Sequence, residues 1–575
     1  MALFDLLTPD GEKLLNEQPQ TPWNTYPRPQ LRRENWLNLN GMWDFCASRE
    51  ESVPEEYDRK IRVPFAPESQ LSGIHTHFPE GSFLFYRRSL ALPEGFDRGR
   101  VLLHIGAADQ ITDVYVNGSH IGSHTGGYEA MCFDITAALR KENELVIRVR
   151  DDLRSRVLPY GKQVIKRGGM WYTPVSGIWQ TVWLECVPVR YIQRLEIRTH
   201  SHGAVIDVCD EAMAGTATVQ TPQGPVIAVL NRGKAEIVLD NPRLWSPEDP
   251  YLYRFVVEAG EDMVSSYFAV RTLSIQNVRG IPRLCLNGEP YFFHGLLAQG
   301  YWSDGLFLPA RPEGYEQDIF SMKKLGFNML RKHIKVEPEQ FYYDCDRLGM
   351  VVFQDMVNNG PYSFLRDTGL PTVGVQVLPD RWMHRDRAAR KAFLQSMEST
   401  VMQLKNHPCI CYWTIFNEGW GQFDSSAAYR RLRELDDTRF IDSTSGWFRG
   451  GETDVDSRHV YFRRYRFRRA KKPVVLSEFG GLSCRTEGHL FNPDKAYGYG
   501  SCGTLEDFAW ALEALYLEQI VPAVKQGLCA AVYTQVSDVE DEINGLLSYD
   551  RRVEKADGEK MRAAARKLAH AIKEK

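Results

Sequence analysis

One pattern recurs through the second half of this chain: an amphipathic run, then a glycine, then a short apolar run. It occurs in "MKKLGFNMLR" (322–331), "CDRLGMVVFQD" (345–355) and "AVKQGLCAAVYTQ" (523–535). In "GYEQDIFSMKKLGFNMLRKH", Tyr315, Ile319, Met322 and Leu325 fall at helical spacing, so Gly326 reads as the residue just past a helix end. Candidate strands begin near residues 292, 327, 351, 410, 440, 459, 474 and 530. Strands alternating with helices must run parallel, and eight of them in some 300 residues predict a closed (β/α)8 barrel, a TIM barrel, over 276–575. Between the fifth and seventh strands the sequence is short of helix.

The first half reads differently. "DVYVNGSHIGS" alternates and then turns at Asn117-Gly118, a hairpin signal. "NELVIRVRDD" puts Leu145, Ile147 and Val149 on one face and Arg148 and Arg150 on the other. "GIWQTVWLECVPV" supplies a further strand, and helical periodicity is scarce, so residues 1–190 read as an antiparallel β-sandwich, a jelly roll. Residues 191–275 hold "RLEIRTH", "AEIVLD", "YLYRFVVEA" and "SSYFAVRTLSI", which suit a smaller immunoglobulin-like sandwich. At 575 residues the chain is too long for one core, and this three-domain division accommodates it.

Composition narrows the partners. With 25% charged residues and a net charge of −4, nothing points to nucleic acid or a membrane surface. No stretch approaches ~18 consecutive apolar residues, the length needed to span a bilayer. The N-terminal "MALFDLLTPDGEKLL" lacks the basic start and long apolar core of a signal peptide. The 11 cysteines show no metal-binding spacing and are odd in number, which suits a reducing compartment and a cytoplasmic location. Aromatics make up 12%, with 13 Trp, which fits either core filling or stacking against sugars.

In such barrels chemistry sits at the C-terminal ends of the strands. The polar residues ending the apolar runs are Arg331 after "FNML", Asp355 after "VVFQ", Asn417-Glu418 after "CYWTIF", and Glu478 after "VVLS". Two glutamates from the fourth and seventh strands would face each other across the barrel mouth. Hydrolysis of a glycosidic bond needs two such carboxyls, one to protonate the departing oxygen and one to attack or to activate water. Arg331 is placed to keep one of them ionised. At the sixth strand end, "HVYF" offers His459 and Tyr461 for a sugar. Trp302, Trp420 and Trp447 follow strand ends and suit either stacking or packing. Gln535 and Asp538 end the eighth strand as candidate hydroxyl ligands. The run "RRYRFRRAKK" (463–472) carries seven basic residues in ten; it reads as a solvated loop or as a contact for an acidic sugar or polyanion.

These motifs resemble glycoside hydrolase family 2, the group of β-galactosidases, β-glucuronidases and β-mannosidases. "NHPCICYWTIFNE" is similar to that family's acid/base signature and "VVLSEFGG" to its nucleophile strand. "LNLNGMWDF", "YRRSLALP", "RVLLHIGAAD", "VYVNGSHIGSHTGGYEAMCFDIT" and "WYTPVSGIWQTVWLE" are similar to its sugar-binding-like N-terminal sandwich, and "LNGEPYFFHG" marks entry into the barrel. The resemblance implies a retaining exo-acting β-glycosidase, most simply β-galactosidase-like, with Glu418 as acid/base and Glu478 as nucleophile. It further implies that Asn417 binds the sugar 2-hydroxyl, that Arg331 supports Glu478, and that Tyr461 assists it. The alternatives are a β-glucuronidase or other uronidase, a β-mannosidase, or a carbohydrate-binding protein that kept the scaffold without catalysis. Barrels with appended sandwiches commonly associate, which leaves a homo-oligomer open.

The chain also departs from the family pattern. "RKHIKVEP" replaces the usual residues after the second strand, so His333 transfers poorly. "FQDMVNNG" lacks the Glu and His that hold magnesium in β-galactosidases, so neither metal nor cofactor is expected. The Asn-x-Lys that glucuronidases use for the sugar carboxylate has no counterpart in "TQVSDVEDEINGLLSYDRR", where no lysine lies close to Asn544. That absence disfavours a glucuronide.

Overall fold

The computed structural model describes residues 3–372, 375, 379–448 and 451–574. Two antiparallel sheets, of six and four strands, form the N-terminal sandwich. In its central strand, Asn143–Arg150, Leu145, Ile147 and Val149 are fully buried and belong to the core between the sheets. Asn117 and Gly118 both take positive φ (52° and 78°), as a tight hairpin between Ile111–Val116 and Ser119–Thr125 requires. A second sandwich follows, with a three-stranded sheet packed on a four-stranded one around its own apolar core. The stretch before the first sandwich strand runs along the barrel instead: the Thr8 hydroxyl donates to Asp304 (2.6 Å) and the Trp23 indole to the Pro309 carbonyl (3.0 Å).

The third domain is an eight-stranded parallel sheet. Its strands are Phe293–Ala298, Met329–Lys332, Val351–Asp355, Ile410–Asn417, Phe440–Ser445, Asp456–Val460, Val474–Gly480 and Leu528–Thr534. Their spatial order is 5-4-3-2-1-8-7-6. All eight expected strands are present, and the sixth begins three residues earlier than the sequence suggests. Every residue of the fourth strand is buried, because one face meets the barrel interior and the other the surrounding helices. Gly326, Gly349 and Gly527 all have positive φ (95°, 73° and 134°), so the glycine punctuation marks backbone turns that other residues adopt only with strain.

Among the described residues, no backbone ladder joins the fifth and sixth strands. Side chains bridge that seam: the Ser445 hydroxyl lies 3.0 Å from His459 Nε2 and 3.4 Å from Ser457 Oγ. Among the described residues no helix lies between the fifth and seventh strands. The basic run takes that outer flank. Tyr465 is buried with its N–H on Gln519 (2.6 Å), Phe467 is half-buried, and all but one of the seven basic side chains are exposed. That exposure fits the solvated-loop reading, with Phe467 lying close to Gly527 just before the eighth strand.

Asn406-His407-Pro408 sits at the opposite end of the fourth strand from Glu418 and ties the barrel to the small sandwich. Asp346 accepts from the Cys409 N–H (2.7 Å) and the Tyr267 hydroxyl (2.7 Å), and its carboxylate lies 2.7 Å from His407 Nδ1. Asn406 donates to the Leu195 carbonyl (2.8 Å). The motif therefore fixes where the fourth strand starts, eight residues before its carboxylate.

At the open end, a long loop of the first sandwich lies over the barrel. The Tyr160 N–H donates to the Asn358 carbonyl (3.1 Å), the Thr173 N–H to Glu540 (2.8 Å), and the Tyr172 hydroxyl to Glu542 (2.5 Å). All 11 cysteines are free. Among the described residues, no helix is long and apolar enough to cross a membrane.

Candidate active site

The fourth strand ends in a turn that aims its last two side chains inward. Glu418 has φ 54°, a left-handed conformation uncommon for a residue with a side chain, and its N–H donates to the Ser445 carbonyl (2.9 Å). Strain of this kind persists only where surrounding contacts hold it, and it concentrates at functional sites. From there Glu418 Oε1 reaches His459 Nδ1 at 2.7 Å.

Glu478, from the seventh strand, is held on both oxygens. Arg331 Nη1 donates to Oε1 (2.9 Å) and the Tyr461 hydroxyl to Oε2 (2.5 Å). Arg331 is itself fixed on three further sides: Asp355 Oδ1 (3.0 Å), the Ser477 carbonyl (3.0 Å) and Asn417 Oδ1 (2.9 Å). Asp355 Oδ2 in turn lies 2.7 Å from His333 Nδ1. The charge-bearing groups thus form one network, in which no buried charge lacks a partner.

That network sets the state of Glu478. Burial pushes its carboxyl up, but His459, Arg331, His333 and the Tyr461 hydrogen bond together outweigh burial and hold it down at about 2. Asp355 is likewise held below the usual carboxylate range, because Arg331 and His333 outweigh its burial. Burial pushes the Tyr461 phenol well above its ordinary value, reinforced by the Glu478 charge, so it stays a donor. Removing that donor has a signed consequence. Tyr461→Phe takes away a contact that favours the ionised carboxylate, so the acidic limb of kcat/KM moves to higher pH by about one unit. A pH–rate profile of the variant checks this, and an unmoved limb would show that the hydroxyl does not tune Glu478.

The expected site residues do not all converge. Glu418, Glu478, Asn417, Arg331, Asp355, His459 and Tyr461 meet in one network. Trp447 packs edge-on to His459 with centroids 5.6 Å apart. Gln535 is buried at the end of the eighth strand, donating to Asn544 Oδ1 (2.8 Å), with its own Oε1 unpartnered. Trp302 is elsewhere: it is 4% exposed, lies edge-on to Tyr315, and is covered by the Arg551 guanidinium 4.0 Å from the ring centroid. It fills the core under the first loop and offers no face to a sugar. Asp538 Oδ1 is held by Lys555 (2.6 Å) and the Gly545 N–H (2.8 Å), while its Oδ2 is buried without a partner.

Several residues have no signal in the strand-end pattern. His333 joins through Asp355. Tyr461 stacks on Tyr499 at 3.9 Å, and Trp171 of the first sandwich meets Trp420 and Tyr362 at 5.0 and 4.9 Å. These rings wall the mouth. Asn358 and Asn359, in the segment expected to lack a magnesium site, donate to the carbonyls of Trp420 (2.6 Å) and Ala389 (2.7 Å). Among the described residues, the grouping spaced for a metal is Glu418, His459 and Glu478, whose ligand atoms lie within 4.8 Å of one another. A cation there would compete with Arg331 and Tyr461 for Glu478.

Three family models match the chain in order. "Glycosyl hydrolase 2 galactose-binding domain-like" matches residues 75–163, "Glycosyl hydrolases family 2" matches 195–271, and "Glycosyl hydrolases family 2, TIM barrel domain" matches 283–565. A β-galactosidase of Thermoanaerobacter pseudethanolicus is 25% identical over 69% of this chain and 53% of that protein. A β-glucuronidase of Felis catus is 24% identical over 68% of this chain and 65% of that protein. The chain therefore spans between half and two-thirds of the length of these curated relatives. Among solved structures, a β-glucuronidase of an uncultured Clostridium aligns with TM-score 0.73 at 19% identity, covering 94% of this chain and 99% of that one. A β-galacturonidase of Eisenbergiella tayi aligns with TM-score 0.66 at 17% identity, covering 95% and 98%.

Proposed function

Because this chain belongs to glycoside hydrolase family 2, we propose that it is a retaining, exo-acting β-glycosidase with Glu478 as nucleophile and Glu418 as acid/base. One observation carries the reading: carboxylate oxygens of Glu418 and Glu478 approach within 4.8 Å across the barrel mouth. Retention needs carboxyls about 5–5.5 Å apart, whereas inversion needs about 6.5–9.5 Å to admit water.

On this reading the ionised Glu478 attacks the anomeric carbon as the bond to the aglycone oxygen breaks. Glu418 gives its proton to that oxygen. A covalent glycosyl–Glu478 ester forms; water then attacks the same carbon, loses a proton to Glu418, and releases the sugar with its original configuration. Asn417 has its carbonyl committed to Arg331, which leaves its NH2 to donate to the 2-hydroxyl. The alternative of a carbohydrate-binding protein without catalysis has less support, because the whole network around Glu478 is intact.

The substrate class best supported is a β-uronide. Relatives named β-glucuronidase and a fold neighbour named β-galacturonidase favour it, while relatives named β-galactosidase keep a neutral galactoside as the second reading. A panel of nitrophenyl β-glycosides (galactoside, glucoside, mannoside, glucuronide, galacturonide) tests both levels. The expected result is release of the β-anomer first, and a mass adduct on Glu478 with the matching 2-fluoro glycoside. Initial release of the α-anomer would refute retention. Absence of turnover and of adduct across the panel would favour the binding protein.

A further inference from the structure

Lys162 lies on the loop of the first sandwich that covers the barrel mouth, and it is 7% exposed. Among the described residues, the other buried lysines and arginines either pair with a carboxylate, as Lys555 does with Asp538, or donate to a main-chain carbonyl, as Arg271 does to Pro408. The Lys162 amine does neither. The stem is buried while Nζ, not fully enclosed, keeps its charge open to the mouth, where an unpaired ammonium is a candidate for binding an anion.

The backbone delivers this amine to a defined place. The Gly161 N–H donates to the Asn358 carbonyl (3.2 Å), and φ there is +64°. A Cβ at Gly161 would come 2.9 Å from the Ile334 carbonyl oxygen, so the loop is pressed against the segment just after His333. The Lys162 carbonyl accepts from the Tyr172 N–H (3.0 Å), and the Tyr172 hydroxyl holds Glu542. Nζ stands 5.5 Å from the ring centroid of Trp171, one of the rings walling the mouth. The charge of Lys162 acts on His333 on one side and on Glu542 on the other.

Glu542 does not serve as its counter-ion. It is more than a salt-bridge distance away, it accepts from Tyr172 (2.5 Å) and Asn544 (2.9 Å), and burial pushes its carboxyl up towards the neutral form. Asn544 is also the residue beside which the sequence lacks a lysine. An amine from a different domain stands on that side of the pocket.

We propose that Lys162 binds the carboxylate of a terminal uronic acid and so sets the enzyme's preference for uronides over neutral sugars. The proposal rests on the glycosidase reading for its substrate, but not for its test, since binding is measured separately from turnover. One amine matches a monoanion such as a carboxylate.

Lys162→Met keeps an unbranched apolar side chain of similar length and removes the charge; Lys162→Arg restores it. The experiment compares kcat/KM for nitrophenyl glucuronide and galacturonide with that for the matching glucoside and galactoside. Calorimetric binding of free glucuronate, galacturonate, glucose and galactose accompanies it, with thermal melts to verify folding. The expected result is a fall of about 10²–10³-fold for uronides in Lys162→Met, at least tenfold larger than any fall for the neutral partner, with partial recovery in Lys162→Arg. Uronide-to-neutral ratios unchanged in Lys162→Met would overturn the proposal and leave the glycosidase intact. Wild-type protein that binds and cleaves only neutral sugars would overturn it too. Uronate binding that depends on Lys162 in a protein with no turnover would uphold the proposal and remove the glycosidase reading.

Discussion

Glu478→Gln is expected to lower kcat on an activated glycoside by about 10⁴–10⁶-fold, the scale seen when a covalent nucleophile is removed. At about 1.4 kcal/mol per tenfold, that is about 5.5–8 kcal/mol of lost transition-state stabilisation. The size follows from how much of the site serves this one carboxylate. Arg331 and Tyr461 contact its two oxygens directly, and Asp355 and His333 hold Arg331 in place. A glutamine keeps the shape, and its carbonyl oxygen can still accept from Arg331, so the fold is preserved while the attacking charge is lost. Steady-state kinetics with a nitrophenyl glycoside, read beside a thermal melt, separates chemistry from stability. Activity within tenfold of wild type in a folded Glu478→Gln protein would remove Glu478 as nucleophile and direct attention to Asp355, the other strongly ionised carboxylate of the network.

The carboxylates were legible in the sequence because barrel geometry turns a linear signal into a spatial one: an apolar strand followed by a polar residue means a side chain at the mouth. Glu418, Glu478, Asn417 and Arg331 all carry that signal. Trp302 carries it too, and it misleads, because Arg551 from the loop after the eighth strand folds over the ring. The sixth strand starts before its apolar part: Ser457 hydrogen-bonds to Ser477 across the strand pair (2.6 Å), so a polar interior hides its first residues. Lys162 carries no signal, and Trp171 only that of a sandwich motif. They lie on a loop without periodicity in another domain, and their relation to His333 exists only once the sandwich docks. Catalytic machinery built on strand ends can be read locally, whereas Lys162 reaches the barrel mouth only through long-range packing.

Glu418→Ala is expected to act in a substrate-dependent way that separates its two roles. As general acid it matters in proportion to how poor the leaving group is, and positioned acid–base groups contribute about 10²–10⁴-fold. For a glycoside with a good leaving group, such as dinitrophenol, the first step should survive almost intact, so the glycosyl–Glu478 ester accumulates and turnover stalls at hydrolysis. A burst of one equivalent of phenol followed by a slow steady state is the expected trace. For an alkyl glycoside the first step itself should fail. Truncation at Glu418 also opens space beside His459, whose Nδ1 loses its 2.7 Å partner. Azide is small, anionic and a nucleophile that needs no general base. It should enter that space, accelerate the second step, and yield a β-glycosyl azide detectable by mass and by NMR. The configuration of that product reports on both glutamates at once. A β-azide requires attack on the face Glu418 formerly guarded, after Glu478 has held the other. An α-azide, or no azide product despite a burst, would show that the carboxyl at 418 does not stand on the leaving-group side of the sugar.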